Sequence, residues 1–319
     1  MWIYRSLLAL LGGSCLVILS AALTRTAASV GPASAAALPA PNPSAVPPAP
    51  APQADSAAER CFDQALDVLR PDRVSWLEMD IWQMAQLPGC VYEADGTYRL
   101  APGQRFRLEM HTHPNGGEGT MLSVSDGRAL WQAERAGQGA WENVTRIDLS
   151  EVFAVMNGPA GPRLREEFLQ RPHFQGMLPL LRDLRCRLIW ARSELLRPSG
   201  GERIRLVGVW PKEEVQRKVP PDQPWPSALP RQCHLYLDAR TSWPQRIEWW
   251  GPNTADGPDR LLVQIEFRNP VFNRPLPPQT CDRLFAFQPG DADIDDETPA
   301  VTAEMTKRAS ELTQLSAAR

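Results

Sequence analysis

Histidine is scarce in this 319-residue chain, limited to His111, His113, His173 and His234. No Cys-x-x-Cys pair occurs, which argues against a zinc knuckle or a thioredoxin-type redox motif. The Gly-x-Ser-x-Gly, His-Glu-x-x-His, Walker and Gly-x-Gly-x-x-Gly patterns are also missing, so no familiar nucleophile, metal-protease or nucleotide constellation is spelled out. Positive charge is not in excess either: 34 Lys and Arg face 37 Asp and Glu. Only Arg5 and Arg25 precede Asp55, so residues 55–319 carry 32 basic and 37 acidic groups, a net of −5. Such a body has no electrostatic footprint for nucleic acid.

What is plentiful is proline, at 32 residues, and tryptophan, at 11, within a chain that is 43% hydrophobic. This composition supports a sizeable core and speaks against a coiled coil or a helical repeat array. Arg5 precedes an apolar run from Leu7 to Leu23, and residues 3–23 read as a membrane-targeting segment. Its length lies between a signal-peptide core and a spanning helix of ~20 residues, so uncleaved anchor and cleaved signal both stay open. Ala33-Ser34-Ala35 supplies a cleavage pattern, although it lies well past the run. Cys15 does not read as a lipidation site, because apolar residues continue after it.

Residues 26–54 are almost wholly Ala, Pro and Ser, with eight prolines between Pro32 and Pro52. An extended linker follows from this, able to hold the next domain tens of ångströms away at ~3.1 Å per residue. The expected organisation is an anchor or signal over 1–25, a linker over 26–54, a folded domain over 55–296, and a polar tail, helical or not, over 297–319. Past the linker stand Cys61, Cys90, Cys186, Cys233 and Cys281. In an exported chain, one or two disulfides and buried free thiols are equally compatible with these five.

The domain opens with Ser56-Ala57-Ala58-Glu59, read as a capping box. Phe62, Ala65, Leu66 and Leu69 then form one apolar helical stripe that Pro71 stops. From there the period changes to two. Arg105 to His111 alternates strictly and reads as a strand; Asn115-Gly116 and Asp126-Gly127 are turn signals joining it to Thr120–Ser125 and Ala129–Glu134 in a meander. Val91–Leu100 reads as a strand, and Val74–Met84 as a strand whose pattern also fits a helix. Helices are expected over Glu151–Met156, capped by Ser150 or Asp148, over Arg163–Gln170 and over Met177–Leu184. Strands resume at Arg187–Leu195, Ile204–Trp210, Gln232–Asp238, Arg246–Trp250 and Arg260–Arg268, while Pro220–Pro230 reads as a long loop.

Roughly ten antiparallel strands, one long helix and a helical insertion make an α+β domain. A sheet of that width must curl, and its apolar face must be covered by the helices. A half-barrel with an internal apolar cavity is expected, because a few short helices cannot fill so wide a lining. Its candidate ligand-lining residues are Phe106, Leu108, Met110, Trp131, Leu261, Val263, Ile265 and Phe267. Of the tryptophans on expected strands, Trp249 and Trp250 cannot both face the core. His111 and His113 would lie ~7 Å apart on one strand face beside Glu109, but solvent-facing polar residues explain them as well. The acidic run Asp291 to Glu297 lacks the glycine and the spaced glutamate of a calcium loop.

Several stretches resemble the exported lipoprotein-carrier superfamily that includes the bacterial LolA and LolB proteins, most closely its divergent members of planctomycete type. They are Gly96-Thr97-Tyr98, Arg105 to Glu109, Ser125-Asp126-Gly127 with Leu130-Trp131, Ile247-Glu248, and Leu284 to Gly290 followed by Asp295. The resemblance covers about residues 56–296 and implies a curled antiparallel sheet around helices, an apolar cavity for acyl chains and a place in the bacterial envelope. No position matches the family's ligand-gating arginine. Three classes of function follow: an envelope protein binding a lipid, a lipoprotein acyl chain or another apolar ligand; a structural or interaction domain with a self-filled core; and, least supported, an enzyme. The sequence calls for no cofactor and no metal; its partners would be the apolar ligand and, through residues 3–23, a membrane.

Overall fold

The computed structural model describes residues 53–319 apart from 88–89, 114–117, 159, 170–175, 200, 220–224, 227–228, 253–256 and 318–319. The segment 3–23, the linker and the Asn115-Gly116 turn therefore lie outside the described residues. Among the described residues no helix is long and apolar enough to cross a membrane.

Helix α1 (Ser56–Val68) is capped by Asp55, whose Oδ1 accepts from the Ala57 N–H at 2.8 Å. Ser56 is the first helical residue, so the expected capping box is replaced by a cap one residue earlier. Asp55 also receives the Ser193 hydroxyl at 3.1 Å, and its own N–H donates to the Trp190 carbonyl at 2.8 Å. These bonds fix the start of the domain to the edge of the sheet.

Six strands follow in a meander: β1 (Leu77–Leu87), β2 (Cys90–Ala101), β3 (Arg105–Thr112), β4 (Gly119–Asp126), β5 (Ala129–Ala136) and β6 (Glu142–Asp148). The helical insertion is α2 (Leu149–Ala154), α3 (Gly161–Leu169) and α4 (Met177–Arg187). Then come β7 (Ile189–Leu196), β8 (Arg203–Val209), α5 (Lys212–Lys218), β9 (Gln232–Asp238), β10 (Pro244–Pro252), β11 (Asp259–Phe272), α6 (Pro278–Phe285), β12 (Ile294–Asp296) and α7 (Thr298–Ala317). All twelve strands form one unclosed sheet in the order β12-β6-β5-β4-β3-β2-β1-β11-β10-β9-β8-β7. Every pairing is antiparallel except β12 with β6. The α+β half-barrel expectation holds as a large open sheet with helices on its apolar face.

Neither β6 nor β12 follows the alternation rule. In β6 the buried residues are Val144 and Ile147, three apart, because Asn143 takes a left-handed conformation (φ 48°) and the β5–β6 register shifts between Gln132 and Glu134. β12 has no buried residue at all; it is held by the Arg146–Asp296 pair at 3.3 Å. Helix α7, in the stretch read as a polar tail, packs on α2, α3 and β6 and sends Val301, Met305 and Leu312 into the core.

Cross-strand register sorts side chains onto two faces. Leu77, Leu100, Phe106, Ser125, Leu130 and Ile147 form one row across β1–β6. This inner face carries the main core cluster together with α1–α4 and α7; Phe62 of α1, for instance, meets Trp190 at 4.7 Å. The neighbouring row, Arg99, Arg107, Val124, Trp131 and Arg146, lies on the outer face. There α6 packs on β3 and β4, and a small second cluster gathers Trp76, Ala101 and Phe285.

Cys61, Cys186 and Cys281 are free thiols, and Cys233 is buried. Trp249 is buried while Trp250 is half-buried, and the β10–β11 register shifts between them, so the pair divides between the faces as its adjacency requires.

Candidate functional site

A cavity of about 420 Å³ opens where α1 ends, β1 begins, β2 turns into β3 and α4 starts. Each wall has a local cause. Pro71 has no N–H and cannot continue α1, so the chain leaves the helix at Leu69 and returns to the sheet through Val74. Between β2 and β3, Gly103 and Gln104 take positive φ (78° and 63°), which reverses the chain within three residues. On the far side α4 begins without a side-chain cap, and Pro179 fits its first turn because the missing N–H is not needed there. Gly176 leaves room for the Tyr98 ring: a Cβ there would lie 2.5 Å from the Tyr98 hydroxyl oxygen and force it to shift.

Leu69, Val74, Leu77, Tyr98, Phe106 and Met177 form the deep lining, each buried. Leu100, Leu169 and Leu178 are half-buried nearer the mouth. Among the described residues no charged side chain lines the cavity; the polar ones are Tyr98 and Gln104. Burial pushes the Tyr98 phenol well above its ordinary value, so it stays neutral at physiological pH. At α1's end, outside the lining, the exposed pairs Arg70–Asp72 (2.9 Å) and Arg73–Asp67 (2.8 Å) place charge. An apolar slot with one neutral hydroxyl and an amide can hold hydrocarbon; among the described residues it presents no general base and no metal-ligand set.

The eight residues picked from the sequence are not brought together at this cavity. Phe106 lines it, and Phe267 lines a second cavity on the other side of α1's end. Leu108, Met110, Val263 and Ile265 are buried within the main core and line neither. Leu261 is half-buried and outside the core cluster; Leu262 enters it instead, because the shift opposite Trp249 and Trp250 moves the alternation by one residue. Trp131 sits on the outer face, 5.6 Å from Phe287 with Arg146 over its ring at 5.7 Å, since its neighbour Leu130 takes the inner position. The lining that sequence reading missed comes from element ends, where no period operates. A signal did exist at Leu69, the last member of the α1 stripe.

His111 and His113 lie at and just past the end of β3, where His113 Nε2 is 3.3 Å from Asp95 and His111 Nδ1 is 3.5 Å from Thr120. Among the described residues no group of three potential metal ligands converges.

No family model matches the chain, and no curated protein matches its sequence. Solved structures do match. The complex of Pseudomonas aeruginosa MucA/MucB is 13% identical with a TM-score of 0.31, covering 71% of this chain and 60% of that one. LprF from Mycobacterium bovis is 11% identical with a TM-score of 0.34, covering 70% and 97%. A LolA superfamily protein from Nitrosomonas europaea is 12% identical with a TM-score of 0.23, covering 72% and 97%. The chain thus spans about three fifths of the MucA/MucB chain it matches. At these scores the likenesses carry no argument on their own; the open, mostly antiparallel sheet around helices stands on its own register and is the architecture that the sequence resemblance implies.

Proposed function

We propose that this chain is an exported envelope protein that binds an apolar ligand, such as the acyl chain of a lipid or lipoprotein, in the cavity between α1, β1–β3 and α4. Residues 3–23 would deliver it to the membrane or hold it there, with the proline-rich linker as spacer. One observation carries the reading: a 420 Å³ space walled by Leu69, Leu77, Leu100, Phe106 and Met177, within the size range of small-molecule sites. Each methylene moved from water into such a lining contributes about 0.8 kcal/mol, so even a partial chain gives useful affinity.

A second reading, a structural or interaction domain with a self-filled core, is favoured by the dense packing of Leu108, Met110, Val263 and Ile265 under the helices. Delipidated protein titrated with a fluorescent fatty acid separates the two. The binding reading expects saturable uptake with a blue shift, weakened by at least about tenfold in Leu178→Trp, whose larger ring occupies the mouth. No uptake by the folded wild type supports the self-filled core, and unchanged uptake by the folded variant puts the ligand elsewhere.

A further inference from the structure

The second cavity, about 540 Å³, lies where β8 begins, β9 turns into β10 and β11 ends. Val68 lines it while Leu69 lines the apolar cavity, so the last turn of α1 stands between the two. Its chemistry is different. Arg203, Arg246 and Arg268 face Asp238 and Glu266 in the same lining. Four of these five charges are already engaged. Glu266 accepts from Arg268 at 2.7 Å and Gln264 at 2.6 Å; Arg246 is 3.1 Å from Glu248. Asp238 Oδ1 accepts the Arg240 and Thr241 N–H groups and the Thr241 hydroxyl, at 3.1, 2.8 and 2.8 Å.

Arg203 is the remainder. Among the described residues it has no ion partner, and its Nε is buried without a hydrogen bond. Three more orphaned atoms belong to the same lining: Nε1 of Trp243, a residue only 5% exposed, Oε1 of Gln245, and Nε of Arg246, whose approach to Glu248 is an ion pair without a hydrogen bond. Buried polar atoms without partners are costly, and three donors with one acceptor, among them the Arg203 guanidinium that has no ion partner, describe a missing guest. A phosphate monoester monoanion supplies acceptor oxygens for Arg203 and Trp243 and an O–H for Gln245. Beside them the apolar wall is Phe267 and Phe272, the latter 38% exposed and 4.9 Å from Trp243.

We infer that this cavity is an anion site for a phosphate group, held by Arg203, Trp243 and Gln245, with an attached alkyl portion lying against Phe267 and Phe272. It does not depend on the apolar cavity being occupied.

The full chain is titrated with octyl phosphate, octanol and inorganic phosphate. Calorimetry gives affinities, and the Trp243 indole N–H resonance, assigned by its loss in Trp243→Phe, reports the location. Octyl phosphate should bind at least about tenfold tighter than octanol and move that resonance; in Arg203→Gln the preference should fall below about twofold. Displacement of octyl phosphate by inorganic phosphate identifies a free phosphate as sufficient, whereas its failure to compete identifies a lipid-type headgroup. Equal binding of octyl phosphate and octanol, or a Trp243 resonance that neither phosphate moves, overturns the site. Should Arg203→Gln not fold, the wild-type resonance decides alone. Failure of the acyl-chain reading registers separately, as a Leu178→Trp variant that takes up fatty acid unchanged.

Discussion

The two wings of the sheet bury their outer faces by opposite means. In β4 six consecutive residues, Thr120 to Ser125, are buried, and the outward ones include Leu122 and Val124 because α6 and the chain after it lie over them. In β9 five consecutive residues, Cys233 to Leu237, are buried as well, yet the outward ones are His234 and Tyr236. Among the described residues no helix packs closely on β9, and the cover is a polar lattice. Tyr236 Oη donates to Glu248 at 2.8 Å, Trp250 Nε1 donates to the same oxygen at 2.9 Å, and the His234 ring lies 3.8 Å from it. Arg246 stacks over the Tyr236 ring at 4.2 Å, and Arg205 pairs closely with Glu194. Equal burial therefore does not mean equal chemistry. One wing is shielded by hydrocarbon from a distant segment, the other by hydrogen bonds among its own strands.

The comparison can be broken first at the hydrocarbon cover. Phe285→Ala removes the centre of the outer cluster with Trp76 and should cost about 3–5 kcal/mol, measured by urea unfolding; a cost below about 1 kcal/mol would mean the cover is ornamental to the β1–β6 wing. Ile265→Trp loads the inner layer on β11, which joins the two wings. Because Ile265 is packed and lines neither cavity, the expected outcome is about 1–3 kcal/mol of overpacking with fatty-acid affinity unchanged. A gain in stability would reveal unfilled space in the core.

The smallest effect is expected in the polar lattice. Burial alone would raise the Glu248 carboxyl, but the adjacent His234 ring, hydrogen bonds from Tyr236 and Trp250 and the charge of Arg246 outweigh it and hold the group below its ordinary value. A lowered carboxylate contributes stability above its unfolded value of ~4.3, and that contribution fades as pH falls through the folded value. Glu248→Gln should thus cost about 1 kcal/mol at pH 7, with the gap to wild type closing as the solution is acidified toward pH 3. A gap independent of pH would show that the charge is not what holds the lattice.

Much of this fold was legible because period-two strands and one amphipathic helix dominate it. Arg105–His111 and Arg260–Arg268 announced themselves by alternation, and the antiparallel meander followed from Asp126-Gly127. The unread parts share a cause. Val144 and Ile147 are out of period through a left-handed asparagine, Ile294-Asp295-Asp296 contains no apolar alternation, and α7 spreads its buried residues too thinly for a stripe. Alternation marks the middle of strands, where helices pack, so residues such as Leu108, Met110, Val263 and Ile265 are core. The cavities lie at element ends, walled by residues such as Leu69, Leu178 and Trp243, whose placement depends on how the chain turns.

An unclosed sheet has two rims, and the short strand β12 guards one of them. Three residues, Ile294 to Asp296, occupy the outward hydrogen-bonding groups of β6, and two of the three are acidic and all are exposed. At the opposite rim the chain before α1 bonds to the Trp190 carbonyl, and a register shift between Trp190 and Arg192 bends β7 away from flatness. Strand rims left bare invite copies of a protein to stack edge to edge into polymers. The acidic clip on one side and the bent, partly occupied strand on the other oppose such edge-to-edge pairing.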